Sequence, residues 1–68
     1  MNLQMRFGNK VRAVRKKKGV SQEELAHLAE IDRTYVSSIE RGLRNVSLST
    51  VAKLSQALKC KMADLMPD

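Results

Sequence analysis

The chain is 68 residues long and sets 13 Lys and Arg against 7 Asp and Glu, a formal net charge of +6. A chain this short buries only about 60% of the surface it exposes when unfolded, so it builds one small core and little wall for a catalytic cleft, which places an enzyme last among the readings. Its charge attracts polyanions, nucleic acid first and an anionic membrane surface second, while Phe7 and Tyr35 are too few aromatics for single-strand stacking platforms.

The first predicted helix carries Phe7, Val11 and Val14 at i, i+4 and i+7, one apolar face. Its other faces are basic (Arg6, Lys10, Arg12, Arg15), and Lys16, Lys17 and Lys18 suit the negative pole at its end, where Gly19 can take the left-handed cap. That lysine run serves solvation and long-range steering, with grazing contact to phosphates as the alternative.

A second helix opens at Ser21-Gln22-Glu23-Glu24, a capping box with Ser21 as N-cap and Glu24 at N3. Val20 and Leu25 form the matching hydrophobic staple, and Ala26, Leu28 and Ala29 continue the expected buried face to Glu30. The third helix runs from about Asp32, its N-cap, to Arg41, stopped by Gly42. Ile31 and Val36 are its staple, and Val36 and Ile39 face inward. Its opposite face shows Arg33, Thr34, Ser37 and Ser38, short or bidentate hydrogen-bonders with no acidic side chain among them. Such a face suits a major groove, where an Arg fork matches guanine O6 and N7 and a Thr methyl meets a thymine methyl. The same residues would also serve as a plain solvated face.

A polar loop, Leu43 to Val46, leads to a fourth helix capped by Ser47, with Val46 and Val51 as staple and Leu48, Val51, Leu54 and Leu58 as apolar stripe. A short fifth helix, about Met62 to Met66, closes the chain, and Met5, Met62 and Met66 read as gap-fillers. Strand signals are absent. The expectation is therefore an all-α, compact five-helix bundle in which residues 1–68 form a single domain.

The lone cysteine, Cys60, cannot form an internal disulfide, no apolar run approaches the roughly 18 residues of a membrane span, and the start lacks a secretory h-region. These point to a cytoplasmic chain without a membrane partner. His27 has no second ligand at metal spacing and is expected on the surface; Cys60 is expected as half-buried packing. No metal, cofactor or catalytic set is expected.

Phe7-Gly8, Val11-Arg12, Arg15 and Gly19 to Ala26, then Ile31 to Gly42, Arg44 to Leu48 and Leu54, together resemble the phage-repressor-like helix-turn-helix family, the Xre or Cro/C1 type. The likeness covers roughly Phe7 to Leu65. Asp32-Arg33-Thr34-Tyr35 with Arg44-Asn45 is similar to the controller proteins of restriction–modification systems. The resemblance implies a lambda-repressor-like fold, with helices two and three as the helix-turn-helix. It implies a transcriptional regulator that sets its third helix in the major groove of a palindromic double-stranded operator.

Arg33, Thr34, Ser37 and Ser38 would then read bases. Ser21, Gln22, Tyr35, Arg41, Arg44, Asn45 and Ser47 would hold the backbone, and Arg15 and Glu40 would form an internal ion pair. A homodimer is expected because one short helix covers few base pairs, with Leu65, Met66 and parts of the fourth helix as its interface. So short a chain leaves no second domain for an effector, and no small-molecule effector is expected. An antitoxin or phage-type protein-interaction module on the same scaffold is the alternative.

Two positions depart from the family's pattern. Glu30 stands where the turn often has Gly, at a cost of about 1 kcal/mol if its φ is positive. Lys61 stands where a Ser-like residue often caps helix five, which leaves that helix poorly capped.

Overall fold

A computed structural model describes residues 2–67. Those residues form five helices and no strand: α1 Leu3–Lys17, α2 Gln22–Ala29, α3 Arg33–Glu40, α4 Leu48–Ala57 and α5 Met62–Leu65. None is long and apolar enough to cross a membrane.

Local chemistry explains where the helices begin. Ser21 Oγ accepts the Glu24 amide at 3.0 Å, the forward half of the expected box, and Asp32 Oδ1 accepts the Thr34 amide at 2.9 Å. Ser47 Oγ accepts the Thr50 amide at 3.2 Å. Caps of this kind contribute about 1 kcal/mol each. A fourth was not expected: Asn2 Oδ1 accepts the Met5 amide at 2.8 Å, so α1 starts one turn ahead of its Phe7 face. At α5 the Lys61 side chain has no acceptor to offer. Only the return bond forms there, from the Lys61 amide to Asp64 Oδ2 at 3.0 Å.

The helix ends share one device. The amides of Val20, Ile31, Leu43 and Cys60 bond to the carbonyls of Arg15, Ala26, Ser38 and Ser55, the six-to-one closure that follows a left-handed residue. Gly19 and Gly42 supply that residue for α1 and α3. Glu30, at φ 58°, and Lys59, at φ 54°, supply it for α2 and α4 without being glycine. The expected strain at Glu30 is therefore present, and Lys59 repeats it.

The core is Phe7, Val11, Leu25, Ala26, Ala29, Val36, Ile39, Val51, Leu54, Leu58 and Leu65. Val20, Ile31 and Val46, the three residues just before the caps, pack against its rim. α1 crosses α3 at Gly8, where a Cβ would collide with the backbone oxygens of Ile39 and Glu40.

Leu28 and Leu48, expected in the core, lie outside it, as do Met5, Met62 and Met66, expected as gap-fillers and found exposed. Leu28 is half exposed, because the α2 face turned inward is centred on Leu25, Ala26 and Ala29 and Leu28 falls to its side. Leu48 is 73% exposed; as the first residue of α4 it stands at the mouth of a hollow, not inside the bundle.

Candidate nucleic-acid interface

α3 presents its N-terminal end outward. Asp32 fixes that end twice, because its Oδ1 accepts both the Thr34 amide at 2.9 Å and the Thr34 hydroxyl at 2.8 Å. The hydroxyl first, and then the amide, hold the Asp32 carboxyl below its ordinary value. The contribution of this cap is therefore present above the unfolded carboxylate range and is lost as pH falls through the lowered folded value. Arg33 and Thr34 are exposed beside the cap, and Ser37, one turn on, is half-buried.

Glu23 of α2 lies 3.9 Å from Arg33, with both side chains largely in water. A pair of this kind adds little stability. It brings the start of α2 beside the start of α3, and the polar face expected for α3 took no account of it, since the contact crosses from one helix to the next.

Beneath this face lies a charged network. Arg15 Nε donates to Glu40 Oε2 at 2.6 Å and Nη2 to Oε1 at 3.0 Å, a bidentate pair between α1 and α3. Arg15 Nη1 also donates to the Val20 carbonyl at 2.8 Å. Gln22 Nε2 donates to Glu40 Oε1 at 3.1 Å, which ties α2 to the same carboxylate. The Glu40 hydrogen bond raises the Arg15 guanidinium further above its ordinary value, against the opposing cost of burial. Gln22 thus braces α3 while half-buried at the first position of α2; Ser21 stays exposed beside it.

The segment 43–47 folds back over the outer side of α3. Arg44 stands with its guanidinium carbon 5.4 Å from the centre of the half-buried Tyr35 ring, and its Nε donates to Ser38 Oγ at 3.2 Å. Asn45 and Ser47 are exposed on the same segment, and Arg41 is exposed where α3 ends. The start of α2, the outer side of α3 and the 43–47 segment are therefore linked by direct side-chain contacts.

Two expected assignments change. Ser38 was expected over base edges, yet it is 7% exposed and its hydroxyl donates to the Tyr35 carbonyl at 2.9 Å while accepting from Arg44. Its donor and one of its two lone pairs are engaged inside the domain. Leu65 was expected at a dimer interface, yet it is fully buried in the monomer core. Met66 is exposed, and with Leu3, Leu48 and Pro67 it lines a hollow of about 120 Å³ whose inner wall includes Phe7 and Val46.

Among the described residues no group of three His, Cys, Asp or Glu could hold a metal ion. His27 is exposed on α2. Cys60 is half-buried; burial pushes its thiol up, Asp64 adds to the shift and Lys18 opposes it, the reverse of what a nucleophilic cysteine needs.

The family model described as helix-turn-helix matches residues 11–65. The chain is 48% identical over 66 residues to the control protein C.BamHI of Bacillus amyloliquefaciens, covering 96% of this chain and 82% of that one. Its fold superposes with a TM-score of 0.90 on the restriction–modification controller protein C.AhdI of Aeromonas hydrophila, at 46% identity over 93% of this chain and 96% of that one. It is also similar to the controller protein C.Esp1396I, seen as a tetramer with its natural 35 base-pair operator, at a TM-score of 0.84 and 31% identity, covering 90% of this chain and 80% of that one.

Proposed function

The chain belongs to the helix-turn-helix family, and from that membership we propose that it is a sequence-specific transcriptional regulator of a restriction–modification operon, acting on duplex operator DNA in the cytoplasm. The observation that carries the reading is the exposed Arg33-Thr34 pair at the start of α3, where Asp32 fixes Thr34, on a helix that Gln22 and Arg44 hold further along, at Glu40 and Ser38.

α3 enters the major groove N-terminus first. Arg33 offers its fork to a guanine, Thr34 offers its methyl group to a thymine, and Ser37 takes a lesser part. Ser21, Gln22, Tyr35, Arg41, Arg44, Asn45 and Ser47 meet sugar and phosphate. Those contacts set register and most of the affinity, and the net charge of +6 gives them a favourable field. Residues 1–68 act as one DNA-binding domain.

Two protomers read a palindrome, with half-sites about one helical turn apart or a multiple of it. The dimer surface is the hollow around Leu3, Leu48, Met66 and Pro67, which replaces the buried Leu65. Arg44 and Asn45 line one edge of that hollow, so the interface and the backbone-binding segment are continuous.

Selection of bound sequences from random duplex DNA at fixed salt tests the function and its symmetry together. The expected result is a palindromic consensus. A set of sequences with no shared motif, or one with no two-fold relation, would overturn the reading.

A further inference from the structure

Ser38 lies on α3 between Ser37 and Arg41, both assigned to DNA contact, and its hydroxyl is engaged by two groups of the domain itself. It donates to the Tyr35 carbonyl at 2.9 Å, which fixes the rotor of the hydroxyl. A hydroxyl that donates in one direction keeps its lone pairs turned elsewhere. Arg44 Nε–H, at 3.2 Å, meets that oxygen from the 43–47 segment. The guanidinium then rests by the Tyr35 ring, 5.4 Å from its centre, where the ring face attracts the cation.

Two independent contacts therefore hold one long side chain. The bond to Ser38 takes only Nε, which leaves the Nη hydrogens for an end-on fork to a phosphate. Arg44 is exposed, while Ser38 beneath it is buried.

We infer that Ser38 is a positioning residue: it holds Arg44 against Tyr35 before DNA arrives, and so controls operator affinity without taking part in base choice. The effect on DNA rests on the proposed contact between Arg44 and the DNA backbone. The physical reason is entropy. A free arginine side chain loses its rotamer freedom when it binds, whereas one already held by a hydrogen bond and a ring has lost much of it in the unbound protein.

The test uses Ser38→Ala, Arg44→Ala and the double variant, with two readouts. In the free protein, the ¹⁵N–¹H signal of Arg44 Nε should be shifted and protected from solvent exchange, and Ser38→Ala should return it to the position and exchange rate of a solvated arginine. An Nε signal that Ser38→Ala leaves unchanged would overturn the inference.

On a selected operator duplex, Ser38→Ala should weaken binding roughly three- to tenfold, the size of one lost hydrogen bond. The loss should be equal on every single-base variant of the site, and absent in the Arg44→Ala background. A change of preference at one base pair would make Ser38 a reader, and effects that multiply in the double variant would make it independent of Arg44; either result would overturn the inference. Ser38→Cys, which keeps the volume with a poor acceptor, should behave as Ser38→Ala and separates the lost bond from any packing defect. If the wild-type protein binds no duplex while the Nε signal responds as described, the DNA reading fails and the positioning bond stands.

Discussion

Glu40 shows how much of this small domain depends on single side chains. Its carboxylate is buried and accepts from Arg15 twice and from Gln22 once, so α1, α2 and α3 meet on two oxygen atoms. A buried pair of this kind adds less stability than its geometry suggests, because both charges were desolvated to make it. Removing one partner is a different matter, since the other charge is then stranded. Glu40→Ala should cost about 3–5 kcal/mol in urea denaturation, a large share of what a domain of this length possesses. The double variant Arg15→Met/Glu40→Leu should cost clearly less than Glu40→Ala; equal or additive losses would contradict this account.

The pair was legible only through the family's pattern, because nothing local links residues 25 positions apart. Ser38 departs from its expected exposure for a related reason. Helical period places it away from Val36, on the side that ought to face solvent. It is buried because the chain past Gly42 returns over it, with the Leu43 amide on the Ser38 carbonyl at 2.9 Å and Arg44 on its hydroxyl. A helical wheel cannot register a covering loop.

Among the elements, caps and staples were the most readable features, since each needs only the residues within one turn. Ser21, Asp32 and Ser47 mark three helix starts, and Val20, Ile31 and Val46 lie against the core as their positions require. The helix ends were half readable. Gly19 and Gly42 announce themselves; Glu30 and Lys59 adopt the same left-handed backbone with side chains that disfavour it, because the six-to-one bonds of Ile31 and Cys60 hold them there. Glu30→Gly should therefore stabilise the domain by about 1 kcal/mol, which raises Tm by roughly 4–8 °C. An unchanged or lower Tm would show that the turn stores no strain. This substitution lies in the turn between α2 and α3 and leaves every proposed DNA contact in place, so operator preference should not move.

At the scale of the whole molecule, the question is how so small a domain achieves specificity. One α3 covers only a few base pairs, and a second copy doubles the information read. The apolar hollow at Leu3, Leu48, Met66 and Pro67 is the surface proposed for that second copy. Leu48→Glu tests it without harm to the monomer, because Leu48 is the first residue of α4, is 73% exposed, and a carboxylate suits a helix N-terminus. Sedimentation should show the dimer weakened by about tenfold or more, with thermal stability at low concentration unchanged. A dimer of unaltered strength would move the interface elsewhere.

The most direct test of the central claim, that α3 reads bases through Arg33, is the affinity of Arg33→Ala for the selected operator and for each of its single-base variants at one salt concentration. Arg33→Ala should lose about 1–3 kcal/mol on the operator, and discrimination at one base pair in each half-site should disappear. An equal loss on every sequence, with discrimination intact, would make Arg33 a phosphate contact and contradict that claim.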